Sequence, residues 1–300
     1  MGGGGTPPNP AGAPGAPGSP GAPAVGAPGA APRALLRLPP RALVGMVHVG
    51  ALPGTPRARE PVAAIARRAA QEAATIVDAG FDAVIVENMH DVPYLARDVG
   101  PEIVAAMTAV AVAVRERVAA PIGVQVLAGA NRAALAVALA AGCEFVRAEG
   151  FVFAGVADEG LLAEADAGPL LRYRRAIGAE AVAVVADILK KHTSHAIIGD
   201  LDIAGVARAA AFFGVDGVVV TGDATGSAVA VEDLAATRAA VELPLLVGSG
   251  ATPESLAALF AHADGVIVGS AIKRSGRWED AVDAERCAAF VAARASLPRR

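Results

Sequence analysis

Short apolar segments alternate with alanine-rich segments from residue 42 onward, and this alternation restricts the fold more than any other feature. Eight runs rich in Val, Ile and Leu have the continuous apolar character of strands that are covered on both faces. These runs occupy residues 42–49, 83–87, 122–127, 145–148, 181–187, 217–221, 244–248 and 265–269. Eight helical segments accompany them, at residues 60–79, 101–119, 131–141, 168–178, 201–213, 231–240, 253–262 and 282–295.

The strands recur about every 32 residues, which is the length of one βα unit. Eight consecutive units predict an α/β fold, a (β/α)8 TIM barrel over residues 41–300. The alternative is a doubly wound open sheet, which more often has a GxGxxG fingerprint after its first strand. The first strand runs instead into HVGALPG, so the barrel is favoured.

Residues 1–40 have a different composition, because Pro, Gly and Ala fill 30 of the 40 positions. Such a segment cannot bury enough apolar surface to offset the entropy of ordering, so it is predicted to be a disordered N-terminal tail. Without the tail's Arg33 and Arg37, the net charge of −4 becomes −6. This acidic balance argues against a nucleic-acid or anionic membrane partner.

The remaining composition indicates a cytoplasmic globular protein. No uncharged apolar span of 18 residues occurs, so no membrane-spanning helix is expected. Cys143 and Cys287 have neither a disulfide framework nor a zinc spacing. The sequence also allows a homo-oligomer.

The active site of a TIM barrel lies at the carboxyl ends of its strands. Lys, Asn and Gln are rare in this chain, and most of them fall at these ends. The residues predicted to carry catalysis are His48, Glu87, Asp187 and Lys190. The residues predicted to contact a substrate are Asn88, Gln125, Arg147, Thr221 and Thr225.

The seventh and eighth strands run into the small-residue loops Gly248-Ser249-Gly250 and Gly269-Ser270. Small residues let backbone N–H groups approach an anion, and barrels commonly bind phosphate after these two strands. The sequence therefore predicts a phosphorylated small-molecule substrate, although the same glycines are also suited to tight turns. The loop from Thr221 to Gly226 is suited either to binding a sugar hydroxyl or to turning the chain.

The catalytic candidates each have a structural alternative. His48 is a general acid or base, or a buried histidine of the core. Glu87 ends an apolar strand, where an unpaired carboxylate is energetically costly. Its carboxylate therefore takes part in catalysis, binds a metal ion or pairs with a side chain such as Arg147. Asp187 is the favoured base on the same reasoning. Lys190 stabilises an enolate or, helped by neighbouring Lys191, forms a Schiff base.

Nothing in the sequence requires a cofactor. His192 and His195 do not have a strong metal spacing, and an ordinary polar loop is the favoured interpretation. A divalent metal ion held by Glu87, Asp187 and His192 is the alternative.

Seven segments together resemble the BtpA/SgcQ family over essentially all of residues 41–292. They are VGMVHVGALPGTPR (44–57), DAVIVENMHDVPY (82–94), PEIVAAMTAVAVAVR (101–115), KHTSH (191–195), VTGDATG (220–226), LVGSGATPESL (246–256) and ADGVIVGSAIKRSGRW (263–278).

The resemblance implies a TIM barrel of the phosphate-binding type. It links one branch to photosystem I biogenesis and another to carbohydrate utilisation. Gln125 stands where the family often has Asn, and Arg147-Ala148-Glu149 replaces an RVN-like segment. These longer and more acidic side chains are expected to alter the pocket floor.

Two functions follow from these observations. The first is a phosphosugar enzyme of carbohydrate metabolism, a lyase or isomerase with aldol-type or enolising chemistry. The second is a non-catalytic biogenesis or assembly factor, which has no need for converging polar residues and is expected to expose a large apolar patch. The polar residues at the strand ends favour the enzyme.

Overall fold

In the computed structural model, residues 1–5, 36–190, 192–222 and 228–298 are described. Eight parallel strands form a closed barrel, each pairing with the next and the last with the first, as the sequence predicted. They are β1 (Ala42–His48), β2 (Ala83–Glu87), β3 (Ile122–Gln125), β4 (Phe145–Ala148), β7 (Ala183–Ile188), β9 (Gly217–Val220), β10 (Leu245–Val247) and β11 (Gly265–Val268).

Eight α-helices surround the barrel within the described residues. They are α1 (Val62–Asp78), α2 (Pro101–Arg117), α3 (Asn131–Ala141), α4 (Ala167–Ala176), α5 (Ile203–Phe212), α6 (Val231–Ala240), α7 (Leu256–Leu259) and α8 (Ala284–Ala295). The seventh is shorter than predicted. Thr252 caps a 3₁₀ turn at Pro253–Ser255 through a reciprocal capping box, and only one turn of α-helix follows.

Alternate side chains of each strand fill the barrel interior, while the others pack under the helices. The interior layer includes Met46, Ile85, Phe145, Val185 and Ile267. Because side chains alternate with a period of two, the residue two positions further along each strand points to the same side. This parity brings the polar residues at the strand ends to the mouth of the barrel.

The packed part of the chain begins earlier than residue 41. Leu36, which the predicted boundary placed in the tail, is buried with Val44 and Met46 in the barrel interior. Most of the predicted tail, residues 6–35, lies outside the described residues.

A small antiparallel sheet, which the sequence did not predict, follows the fourth and fifth barrel strands. Its strands β5 (Gly155–Ala157), β6 (Gly160–Leu162) and β8 (Thr193–Ser194) pair in the order β6-β5-β8. Strands of two or three residues are too short to show an apolar period. No helix in the described residues has the length and apolar character needed to cross a membrane.

Candidate active site

The strand register aligns the first polar residues of the site in one row. His48 pairs with Glu87, and Glu87 pairs with Gln125. The pairing of Val124 with Val146 places Arg147 next in that row. These side chains line a cavity of about 320 Å³ at the carboxyl ends of the strands, a size suited to a small-molecule ligand.

Most of the predicted site residues share this cavity. Those that line it are His48, Glu87, Gln125, Arg147, Asp187, Lys190, Gly248, Ser249, Gly250, Gly269 and Ser270. The charged members come from the arc of β1, β2, β4 and β7, and the small residues follow β10 and β11. One side of the mouth therefore carries ionisable groups, and the other exposes backbone.

Two predicted substrate contacts lie elsewhere. Asn88 is buried behind the cavity, where its Oδ1 accepts from the Leu127 N–H at 2.7 Å and its Nδ2 donates to Asp91 at 2.9 Å. Both ends of the Asn88 amide therefore hold neighbouring loops together. Burial raises the pKa of its partner Asp91. Thr221 does not line the cavity either. Thr225 and Lys191 lie outside the described residues.

Arg147 and Asp187 form a buried ion pair on the cavity floor. Arg147 Nη2 donates to Asp187 Oδ1 at 2.9 Å, and Nε donates to Oδ1 and Oδ2 at 3.1 and 3.2 Å. Their side chains are 5% and 0% exposed. Burial alone would lower the pKa of Arg147, but the carboxylate of Asp187 raises it, so the arginine stays charged. Burial also raises the pKa of Asp187, against the opposing effect of Arg147.

Lys190 forms the neighbouring charge contact. Its Nζ lies 3.1 Å from Glu149 Oε2. Burial alone would lower the pKa of Lys190, but the carboxylates of Glu149, Glu159 and Asp187 raise it. The ammonium group is therefore held in its charged form beside the cavity.

His48 has one ring nitrogen fixed by the backbone. Its Nδ1 lies 2.9 Å from the carbonyl oxygen of Trp278. A carbonyl only accepts hydrogen bonds, so Nδ1 carries the hydrogen of the neutral ring. Nε2 lies 3.7 Å from Glu87 Oε2. This arrangement is that of an oriented acid–base group.

The loops after β10 and β11 provide backbone donors. Within the described residues, the N–H groups of Ser249, Gly250, Ala251 and Ser270 donate no hydrogen bond to another protein group. All four residues line the cavity. Gly250 has a φ of +71°, the left-handed conformation that anion-binding turns of successive N–H groups use.

Glu149 lines the cavity, where the sequence placed an added acid at the pocket floor, and it has the same strand parity as Arg147. Among the other residues that line the cavity, Glu159, Tyr94 and Trp278 were not predicted as site residues. These three residues lie on loops, where no periodic signal exists. Burial and the nearby carboxylates of Glu87, Glu149 and Glu159 raise the pKa of Tyr94, which keeps its hydroxyl protonated.

The possible metal ligands are not gathered into one site. Among the described residues, no group of three or more His, Cys, Asp or Glu side chains is placed to hold a metal ion. Of the suggested trio, Asp187 is paired with Arg147, and His192 lies 4.0 Å from Asp158.

Relatives of this chain are found across bacteria, archaea and animals. An uncharacterized mitochondrial protein of Caenorhabditis elegans is 46% identical over 82% of this chain and 90% of its own length. The photosystem I biogenesis protein BtpA of Synechocystis is 38% identical over 84% of this chain and 88% of its own length.

Solved structures show the same fold at low sequence identity. (S)-3-O-geranylgeranylglyceryl phosphate synthase from Thermoplasma acidophilum, in complex with sn-glycerol-1-phosphate, has a TM-score of 0.55 at 15% identity, covering 85% of this chain and 93% of its own. Phosphoribosyl anthranilate isomerase from Thermus thermophilus has a TM-score of 0.54 at 14% identity, covering 86% of this chain and 100% of its own.

The BtpA family pattern matches residues 40–296, which span the whole barrel. The BtpA protein of Synechocystis, at 38% identity, agrees with this match over 88% of its own length. The chain belongs to the BtpA family.

Proposed function

We propose that this protein is an enzyme that acts on a small phosphorylated molecule, a sugar phosphate, and binds its phosphate at the loops after β10 and β11. The observation that carries the proposal is the set of cavity-lining N–H groups at Ser249, Gly250, Ala251 and Ser270, which have no acceptor in the part of the chain that the structure describes. Converging backbone N–H groups form an anion site. The phosphate named in the two neighbouring enzymes supports this choice by analogy of fold.

The opposite arc of the cavity suits enolising or aldol-type chemistry. His48 Nε2 removes a proton from a carbon next to a carbonyl, and the electron pair moves onto the carbonyl oxygen. The ammonium of Lys190 stabilises the developing negative charge on that oxygen. Glu87, beside His48, stabilises the imidazolium that forms.

Two of the predicted catalytic residues gain more specific roles. A lysine that stays protonated is a poor nucleophile, so the raised pKa of Lys190 supports electrostatic stabilisation over a Schiff base. Borohydride trapping with candidate substrates is expected to leave no adduct at this lysine. Asp187, the favoured base, has its oxygens occupied by Arg147, and we propose that it positions that arginine.

A panel of sugar phosphates tests the ligand class. Trp278 is the only tryptophan of the chain and lines the cavity, so its fluorescence reports binding directly. A ligand at 100 times its Kd is expected to add about 2.7 kcal/mol to the free energy of unfolding. If phosphorylated sugars change neither the fluorescence nor the melting temperature more than the free sugars do, phosphate binding is refuted.

Deuterium exchange tests the chemistry separately from binding. With a bound sugar phosphate in D2O, the wild-type protein is expected to introduce deuterium next to the carbonyl. The variant His48→Gln is expected to bind the same ligand and to introduce none. Exchange at the wild-type rate in this variant would remove His48 from the proton transfer.

A specific surface favours the second candidate, an assembly factor. The small sheet and the turn after it expose apolar side chains at Val156, Leu161 and Ile197, with Leu161 62% exposed. The cyanobacterial relative is named for photosystem I biogenesis. The variant Leu161→Ser separates the two functions, since it should leave ligand binding intact and disrupt only docking to another protein.

The remaining expectations stay predictions. A divalent metal ion is not required by this proposal. The expected cytoplasmic location is also untested, and the name of the worm relative places that protein in mitochondria.

A further inference from the structure

Acceptor oxygens without a hydrogen-bond donor lie on the wall that carries the charged residues. Within the described residues, Gln125 Oε1 and Glu159 Oε2 are buried atoms that accept no hydrogen bond, and Glu149 Oε2 faces only the ammonium of Lys190, at 3.1 Å. All three side chains line the cavity, and Gln125 and Glu149 are each 2% exposed. Buried acceptors are normally paired, so an exception within a cavity points to a donor on the ligand.

The orientation of Gln125 follows from its neighbour. Its Nε2 donates to Glu149 Oε1 at 3.0 Å. A carboxylate only accepts hydrogen bonds, so the amide nitrogen must be the end that faces Glu149. The amide oxygen is therefore the end left without a donor.

Lys190 determines which kind of donor fits. Its Nζ is 3.1 Å from Glu149 Oε2, so a positive charge already faces that oxygen. A ligand ammonium or a metal ion at this place would be repelled by the lysine charge. A hydroxyl group both donates and accepts, so it can donate to Glu149 or Gln125 while accepting from Lys190.

We propose that Gln125, Glu149 and Glu159 form a hydroxyl-recognition subsite, which selects substrates with at least two hydroxyl groups at the end away from the phosphate. This inference rests on the proposed function and narrows its substrate class to polyhydroxylated phosphates. A site built to bond hydroxyl groups rejects analogues that lack them, because its own buried acceptors are then left unpaired.

Matched ligands test this subsite through Trp278 fluorescence. The probes are ribose 5-phosphate, glucose 6-phosphate, their 2-deoxy analogues, and n-propyl phosphate, which has no hydroxyl group. The wild-type protein is expected to bind at least one hydroxylated probe about tenfold or more tightly than n-propyl phosphate.

Three variants address the subsite, and one serves as a control. In Gln125→Met, Glu149→Gln and Glu159→Gln, the preference for hydroxylated probes should fall severalfold, while the Kd of n-propyl phosphate stays the same. Glu164→Gln makes the same charge change on an exposed position outside the cavity, and it should keep the wild-type preference. Circular dichroism and melting of each variant identify any that fails to fold, and Glu159 lies on a turn where folding is least at risk.

The outcomes separate the two proposals. If the wild-type protein binds n-propyl phosphate as tightly as the sugar phosphates, or if the variants weaken all probes equally, the hydroxyl subsite is refuted and phosphate binding stands. If none of the probes binds, n-propyl phosphate included, the proposed function fails, and the subsite inference fails with it.

Discussion

Replacing Asp187 separates two roles for this side chain, a free base and the fixed partner of Arg147. Both residues are buried, and three N–H···O contacts between 2.9 and 3.2 Å join them. Removing one partner of a buried ion pair leaves an uncompensated charge, which costs about 3–5 kcal/mol. Asp187→Leu should lower the free energy of unfolding by an amount in this range. Asp187→Asn keeps one acceptor and should lower the free energy of unfolding by about 1.5–3 kcal/mol.

Urea unfolding, followed by circular dichroism, measures these losses. For a barrel of this size, each kcal/mol lost from the free energy of unfolding lowers Tm by about 2–4 °C. Asp187→Leu should therefore melt about 10 °C lower than the wild-type protein. A second variant, Arg147→Met with Asp187→Leu, removes both charges and should be more stable than Asp187→Leu alone. Glu180→Gln is the matched control, because it breaks a surface pair with Arg175 and should leave the free energy of unfolding nearly unchanged.

The ion-pair account is refuted if Asp187→Leu costs no more than the surface control, or if the double variant is no more stable than Asp187→Leu alone. Activity then completes the comparison. Once a substrate is identified, turnover by Asp187→Asn at the wild-type rate would show that Asp187 is not the base. A complete loss of turnover with an unchanged Kd would return it to that role.

Four further changes have defined outcomes. Gly248→Ala would place a Cβ 2.5 Å from Val219 Cγ1, and should lower the free energy of unfolding by about 1–3 kcal/mol in urea titrations. Burial raises the pKa of the Cys143 thiol to about 12 from its ordinary 9.0. As the pH rises, the unfolded chain therefore loses this proton before the folded protein does, and the free energy of unfolding declines above about pH 9. Cys143→Ser should flatten that decline in urea titrations at high pH. Deleting residues 1–35 should leave the melting temperature unchanged. Leu36→Ala, in the barrel interior, should lower the free energy of unfolding by about 2 kcal/mol in urea titrations.

The barrel and much of the site were predictable because both follow from periodic patterns of apolar residues. Continuous apolar strands at regular intervals specify the barrel, and alternation along each strand brings His48, Glu87 and Gln125 into the mouth. Helix α7 is shorter than its apolar pattern predicted.

What sequence could not supply was which polar groups meet each other. Asn88 follows a strand end as a substrate contact would, yet it joins two loops. Asp187 has the isolated position of a base, yet Arg147, from a neighbouring strand, takes its oxygens. Partners that lie 40 residues apart in the chain become visible only when the strand register is known. Tyr94 and Trp278 reach the cavity from irregular loops, where the chain has no period to extrapolate.

The contact between His48 and the carbonyl of Trp278 has a stereochemical consequence. In the proposed reaction Nε2 takes the proton, and the ring is held at one wall of the cavity by the contact of Nδ1 with Trp278. A ligand held by its phosphate at Ser249 and Ser270 would present one face to this wall. Enolisation by such an arrangement would be stereospecific, with deuterium from solvent entering only one of two prochiral positions. The configuration of the labelled product would show which face of the substrate His48 contacts.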